Sequence, residues 1–376
     1  MKNETEWNQA ENILCVRLDS LGDVLMMTPA IRALKEQSPG RRITLLTSRS
    51  GAEVASLIPE VDKTISYDAP WMKASVPPRD NAVEFQMIDQ LNKCKFDAAV
   101  IFTTFSQSPL PAALLTFLAN IPLRLAHCRE NPYHLLTHWV PETDHFDQPT
   151  IRHEVRRQLD LVASVGSQTV NERLSLRVPI SAVKKARQRL TQIGLNENRP
   201  WIVLHPGATA SSRRYPAESF AEVAQTLIST YGFQIVFTGT QPEIELVETI
   251  QAYMDTDSFS LAGKLDLSEL CALISIAPML IANNTGPTHI AAALNTPVVD
   301  LYALTNPQHT PWKVPHRLLF HDVPCKFCYK SVCPLGHHHC LRRVEPETVV
   351  EAAVDLFRSR DILDTTGQVP THLNVL

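Results

Sequence analysis

Along the chain, short β-rich apolar runs give way repeatedly to stretches whose apolar positions recur at helical spacing. The segment NILCVRLDSLGDVLMMTPAIRALKEQSPGRRITLLTS holds the first complete unit. ILCVRL reads as a strand, and Pro29 stands near a helix start. Apolar residues then recur through Leu34, SPG stops the helix, and ITLLTS opens the next strand. FDAAVIF, residues 96–102, is another buried-strand run. This alternation predicts a parallel sheet covered on both faces. Asp68 to Asp80, with Pro70, Pro77 and Pro78, reads as a loop; Trp71, Met72 and Lys73 form either an exposed lid or ordinary surface packing.

After Val178 the pattern begins again. ISAVKKARQRLTQIGL predicts an amphipathic helix with Ser181 as N-cap and Gly194 as its stop, followed by the strand WIVLHPG. The same βα rhythm continues through FQIVFTG, MLIAN and PVVDLYA as strands, with helices between them. The expected division is residues 1–178 as a first doubly wound, Rossmann-like domain and 179–345 as a second. Residues 346–376 form a final helix and a polar tail. Val349, Val350, Ala353 and Leu356 give that helix one apolar face, suited to packing back on the first domain. Ligands of such sheets lie at the carboxyl ends of the strands, so the cleft between the two domains is the expected site.

At 376 residues the chain exceeds the size at which one core usually stops growing, which supports two domains. A formal net charge of −4 argues against a nucleic-acid partner. The start, MKNETEWNQAEN, has neither a basic nor an apolar leader segment, and no later run approaches the ~18 apolar residues of a spanning helix. A cytoplasmic protein is expected. Contact with the inner face of the membrane would follow if its substrate is a lipid.

Three stretches carry candidate chemistry. In IANNTGPTHIAAAL a strand ends near Ala282 and a helix opens at Pro287, so free backbone N–H groups and the positive end of the helix dipole point to one place. That place suits an anion: Gly286 permits close approach, Thr285 offers a hydroxyl, and His289 sits in the first turn. The competing reading is a capped helix with a structural histidine. In LDSLGDVLMMTPAI, Asp23 follows the first strand, where a carboxylate can act as general base or simply cap the next helix. In HPGATASSRRYPAESF, Thr209, Ser211 and Ser212 offer hydroxyls, and Arg213 or Arg214 can reach a diphosphate. These loops match neither the dinucleotide fingerprint nor a P-loop.

Taken in order, ILCVRLDSLGDVLMMTPAIRALK, HPGATASSRRYPAESFAEVA, FTGTQPEIEL and ANNTGPTHIAAALNTPVVDLY resemble glycosyltransferase family 9, the family of the bacterial ADP-heptose lipopolysaccharide heptosyltransferases. The likeness runs from about Asn12 to Phe357. It implies an α/β GT-B fold of two facing Rossmann-like domains and inverting, metal-independent transfer from a nucleotide-diphospho-sugar, with an ADP-sugar favoured. The acceptor would be a lipopolysaccharide-core or other surface glycan or glycolipid. By the same resemblance Asp23 is the base and Arg213 approaches the donor phosphates, where lysine is common in the family. Thr209 lies near the phosphates and Glu243 binds the nucleoside. Asn284, Thr285, Gly286 and His289 fall on the motif around the diphosphate and sugar. The family carries an aspartate where this chain has Asn284, which leaves the donor sugar open. Two other readings fit the same residues: a sugar-nucleotide epimerase or hydrolase, and a nucleotide-sugar-binding protein without turnover.

A late cluster, PCKFCYKSVCPLGHHHC, brings Cys325, Cys328, Cys333 and Cys340 together with His337, His338 and His339. A zinc site, a redox-labile loop and plain reduced thiols are all compatible with it. The family's chemistry calls for none of them.

Overall fold

The computed structural model describes residues 2–72, 80–145 and 151–366. Lys73 of the expected lid and the end of the polar tail lie outside them. The chain divides into two units, Met1–Arg177 with Pro307–Trp312, and Val178–Asn306 with Lys313–Leu376.

The first unit is built on six parallel strands: β1 (Asn12–Arg17), β2 (Arg42–Thr47), β3 (Lys63–Ser66), β4 (Ala98–Ile101), β5 (Leu123–Cys128) and β6 (His138–Pro141). Their spatial order is β3-β2-β1-β4-β5-β6. All side chains of β4 are buried, as are those of β1 after Asn12, because helices cover both faces and leave no polar side to the sheet. The helix expected to start near Pro29 is found as Thr28–Gln37, and a short helix that the sequence did not announce, Leu21–Met26, precedes it and is joined to it at Met27. Proline lacks the N–H that a continuous helix would need there, and the Thr28 hydroxyl donates instead to the Leu25 carbonyl, 2.7 Å away.

Pro307–Trp312 belongs with this unit through local bonds. The Glu154 N–H donates to the Gln308 carbonyl (3.0 Å), the Trp312 indole donates to the Glu172 carbonyl (2.6 Å), and the rings of His153 and Trp312 lie 4.4 Å apart.

The second unit repeats the plan with β7 (Trp201–His205), β8 (Gln234–Phe237), β9 (Phe259–Ser260), β10 (Leu280–Asn283), β11 (Val298–Leu301) and β12 (His316–Leu319), in the order β12-β11-β10-β7-β8-β9. Both sheets therefore start at the middle, wind to one edge, return and wind to the other, the doubly wound order of dinucleotide-binding folds. The first helix of this unit runs Ile180–Gln192 with Pro179 at its cap. Ser181, expected as the cap, is inside it: the extended Pro179 stands at the cap position, and no side chain caps the helix. Gly194 follows the helix end at φ +81°, a left-handed position that favours glycine.

Val349, Val350, Ala353 and Leu356 of the last helix, Pro346–Thr366, are buried in the second unit's core with Phe220, Leu227 and Val299. The apolar face read as turning back on the first domain is occupied within its own unit. Among the described residues no helix is long and apolar enough to cross a membrane.

Candidate functional site

Each sheet has one point where strand order reverses: between β1 and β4 in the first unit, and between β7 and β10 in the second. The loops leaving neighbouring strands diverge there to opposite faces and open a crevice at the carboxyl ends. The candidate residues after β1, β7 and β10 fall at these two points.

In the second unit the two reversing loops are joined by Asn283, the last residue of β10 and fully buried. Its amide donates to the Pro206 carbonyl (2.7 Å), and its side-chain oxygen accepts from the Tyr215 N–H (3.1 Å). One side chain thus holds both ends of the stretch carrying Thr209 and Arg213. Ser212 fixes its middle, with its hydroxyl donating to the Lys330 carbonyl (2.8 Å) and its N–H to that of Ser331 (3.1 Å). Of the two arginines, Arg214 is used within the loop, its Nε donating to the Ala208 carbonyl (2.7 Å). Arg213 is half-buried and lies within electrostatic range of Asp300. Thr209 is exposed on the same loop.

The helix Gly286–Leu294 opens with Thr285 at its cap, and the Thr285 side chain does not cap it. The hydroxyls of Thr285 and Thr288 both donate back to the Asn283 carbonyl, at 3.2 and 3.0 Å. His289 is buried in the first turn. Asn284 is buried too, and its amide donates to the Asp300 carboxylate of β11. Burial pushes Asp300 up to about 7, with the Asn284 hydrogen bond and the Arg213 charge opposing.

Glu243 begins the other wall. Its Oε2 accepts from the Thr240 N–H (2.7 Å) and hydroxyl (2.8 Å), and lies 3.9 Å from His205 Nε2. Burial holds His205 below its ordinary value, with Glu243 opposing. Gly207 makes room for this carboxylate, since a Cβ there would stand 2.0 Å from Glu243 Oε1.

In the first unit Asp23 is both cap and ion-pair partner. Its Oδ2 accepts from the Ser20 N–H (3.1 Å) and hydroxyl (2.6 Å), and its Oδ1 from Arg17 (3.1 Å). The capping alternative is therefore realised, and the second oxygen lies on a buried guanidinium. Arg17 also meets Asp19 and Glu154. Burial works to lower Arg17, yet Asp19, Glu154 and Asp23 together hold it above its ordinary value. Burial likewise disfavours ionised Glu154, but Arg17, Arg157 and His309 hold it below the usual carboxylate range.

The late cysteines lie close together. Burial raises the Cys340 thiol, and Cys328, Cys333 and Cys325 add to the rise. Cys325 Sγ is 3.7 Å from His337 Nε2, and the rings of His337 and His339 stack at 4.1 Å. Among the described residues no group of three His, Cys, Asp or Glu side chains is arranged to hold a metal ion.

Several residues of these sites escaped the sequence reading, among them Arg17, Glu154 and His205. Asn283 was visible in the Asn-Asn pair and Gly207 in the His-Pro-Gly turn. Asp19 stands four residues before Asp23, and Asp300 interrupts an otherwise apolar strand, itself a signal of a buried polar role.

The sequence matches the model of glycosyltransferase family 9 (heptosyltransferase) over residues 85–339. It is 28% identical over 359 residues to lipopolysaccharide heptosyltransferase 2 of Escherichia coli K12, covering 90% of this chain and 96% of that one. The structure superimposes on a family 9 glycosyltransferase from Veillonella parvula with a TM-score of 0.75 at 21% identity, covering 93% of this chain and 97% of that one. It matches the Escherichia coli heptosyltransferase WaaC, solved with ADP-2-deoxy-2-fluoro heptose, with a TM-score of 0.62 at 20% identity, covering 92% and 99%. These likenesses establish the GT-B fold.

Proposed function

Since this chain belongs to glycosyltransferase family 9, we propose that it moves a heptose or related sugar from an ADP-sugar to a lipopolysaccharide-core or other surface-glycan acceptor, with inversion and without a metal ion. One observation carries the donor half of this reading. At the order reversal of the second sheet, Asn283 ties the loop bearing Thr209 and Arg213 to the start of the helix Gly286–Leu294. A diphosphate placed there meets a guanidinium, two threonine residues and the N–H groups of a helix start.

The chemistry follows from charge. As the bond from the anomeric carbon to the diphosphate breaks, negative charge grows on the leaving oxygen. Pre-arranged donors at such a position contribute ~3 to 4 kcal/mol each to the transition state in comparable oxyanion sites. The acceptor hydroxyl must lose a proton as it attacks, and Asp23 takes it. Thr209, Arg213, Thr285, Gly286 and His289 hold the diphosphate and sugar, with Asn284 beside them, and Glu243 takes the nucleoside. On this reading the enzyme is cytoplasmic and meets a glycolipid acceptor at the inner face of the membrane. The Cys325, Cys328, Cys333 and Cys340 loop has no step in this reaction; zinc there would be structural.

The reading is tested by incubating the full-length protein with ADP-heptose and lipopolysaccharide core oligosaccharides, with and without EDTA. The expected product is a glycoside whose anomeric configuration, read by NMR, is opposite to the donor's, formed equally in both arms. Free or epimerised sugar without a glycoside would favour the hydrolase or epimerase, and binding without any product would leave a sugar-nucleotide receptor.

A further inference from the structure

Arg17 is fully buried, and its guanidinium is divided among three carboxylates brought by three separate elements. Asp19, in the loop after β1, lies 2.9 Å from Nε. Asp23, on the helix Leu21–Met26, lies 3.1 Å from one terminal nitrogen, and Glu154, on the helix Glu154–Ala163, lies 2.8 Å from the other. One positive charge faces three negative ones.

Their exposure differs. The side chain of Glu154 is walled off, whereas those of Asp19 and Asp23 retain 13% and 15% of their surface. Only these two are open to an arriving group. The remaining oxygen of Asp19 accepts from the Gln107 amide at 2.6 Å. Gln107 follows β4, the neighbour of β1 at the order reversal, so Asp19 bridges the two loops that diverge there.

We propose that Asp19 is a second carboxylate of the acceptor-activating centre, a positioning residue that shares Arg17 with Asp23 and whose own ionisation sets how tightly Arg17 holds Asp23. The idea rests on Asp23 being the base. When Asp19 is ionised it draws the guanidinium toward itself, and Asp23 is freer to accept the acceptor's proton. When Asp19 is protonated, Arg17 leans on Asp23, which becomes a poorer acceptor. In the transfer step the hydroxyl proton passes to Asp23 while the oxygen's electron pair forms the new bond to the anomeric carbon. The pair of the broken bond leaves with the diphosphate. Asp19 exchanges its proton only with solvent.

The surroundings of Asp19 suit this role. Burial, with Asp23 and Glu154 adding to it, pushes its carboxyl up to about 6, and Arg17 and Gln107 oppose. The groups facing it are Arg17 beneath, Asp23 and Ser20 at the helix start, Gln107 from the loop beyond β4 and Glu154 from its helix; the Ser48 hydroxyl donates to its backbone carbonyl. Arg157 and His309 act on the group through Glu154.

The experiment pairs a direct titration with a rate profile on the full-length protein. With aspartate carboxyls labelled with ¹³C, one resonance should titrate near pH 6, be absent in Asp19→Asn, and move to lower pH in Asp23→Asn. No resonance titrating there, or one unmoved by Asp23→Asn, overturns the proposal. Transfer from ADP-heptose to the core oligosaccharide should fall as pH drops through about 6 in the wild type. Asp19→Asn should be slower and lose that limb, with the donor KM unchanged, and Asp19→Glu should restore a limb. Persistence of the original limb in Asp19→Asn also overturns it. If the wild type forms no glycoside, the transferase reading fails, while the carboxyl titration still decides whether Asp19 and Asp23 are coupled.

Discussion

The side-chain amide of Asn284 donates to the Asp300 carboxylate across 3.0 Å, with both residues almost wholly removed from solvent. Where the resemblance leads one to expect an aspartate, this chain has a neutral amide, and a carboxylate stands behind it on the neighbouring strand. One Asp300 oxygen takes the amide; the other is buried without a hydrogen-bond partner. A titratable carboxyl is thus set beneath the proposed diphosphate seat, within range of Arg213.

That arrangement has a cost in stability whose sign is fixed. The Asp300 carboxyl is raised to about 7 in the folded protein, above the ~3.9 of an exposed aspartate. The folded state therefore holds its proton more tightly, and stability is lost as pH rises from about 4 to about 7. Asp300→Asn keeps an oxygen for the Asn284 amide and removes the titration. Its advantage over the wild type in urea unfolding should grow across that range and level off above it, reaching at most about 4 kcal/mol.

Arg213→Ala should weaken ADP binding and lower turnover by roughly 10²-fold or more, the size seen when one pre-arranged donor is removed from a developing negative charge. Arg213→Lys should retain most of both, since a charge at this point matters more than the forked geometry. Calorimetry of ADP binding alongside the transfer rate checks this, and an Arg213→Ala variant with unchanged ADP affinity and turnover would remove Arg213 from the phosphate site.

Asp23→Asn is expected to lower turnover by roughly 10²- to 10⁴-fold, the usual contribution of a positioned base. The donor KM should stay near that of the wild type, because the donor is assigned to the other unit. Unchanged turnover with a verified donor and acceptor would reduce Asp23 to a cap and an ion-pair partner.

Gly207→Ala should act through Glu243. The added methyl would stand 2.0 Å from Glu243 Oε1, the mobile end of a side chain, so the carboxylate swings away from Thr240 while the backbone remains. Nucleotide affinity should fall while the melting temperature changes little. The reverse pattern would show that Glu243 does not read the nucleoside.

Burial disfavours the Cys333 thiolate, but the N–H groups of His338, Leu335, Gly336 and His337 outweigh it and hold this thiol below its ordinary value. At neutral pH iodoacetamide should modify Cys333 ahead of Cys325, Cys328 and Cys340, as peptide mass spectrometry resolves. Cys15 and Cys271, both pushed up to about 12 by burial, should react only on unfolding.

Sequence alone carried the periodic elements. The strand runs ILCVRL and WIVLHPG, the stop at Gly194 and the restart after Val178 are set by local backbone preference and apolar spacing, which any short window of the chain contains. The same local logic located Asp23, Arg213 and the helix start at Gly286. It could not tell that Arg17 gathers carboxylates from Asp19, Asp23 and Glu154, the last lying 137 positions away. Nor could it tell that Asn283 reaches back to Pro206 and Tyr215, or that Asp300 lies under Asn284. Those partnerships depend on strand order, which brings β1 beside β4 and β10 between β7 and β11. A buried charge or amide selects its partner by position in space, and only the wound sheet supplies that position.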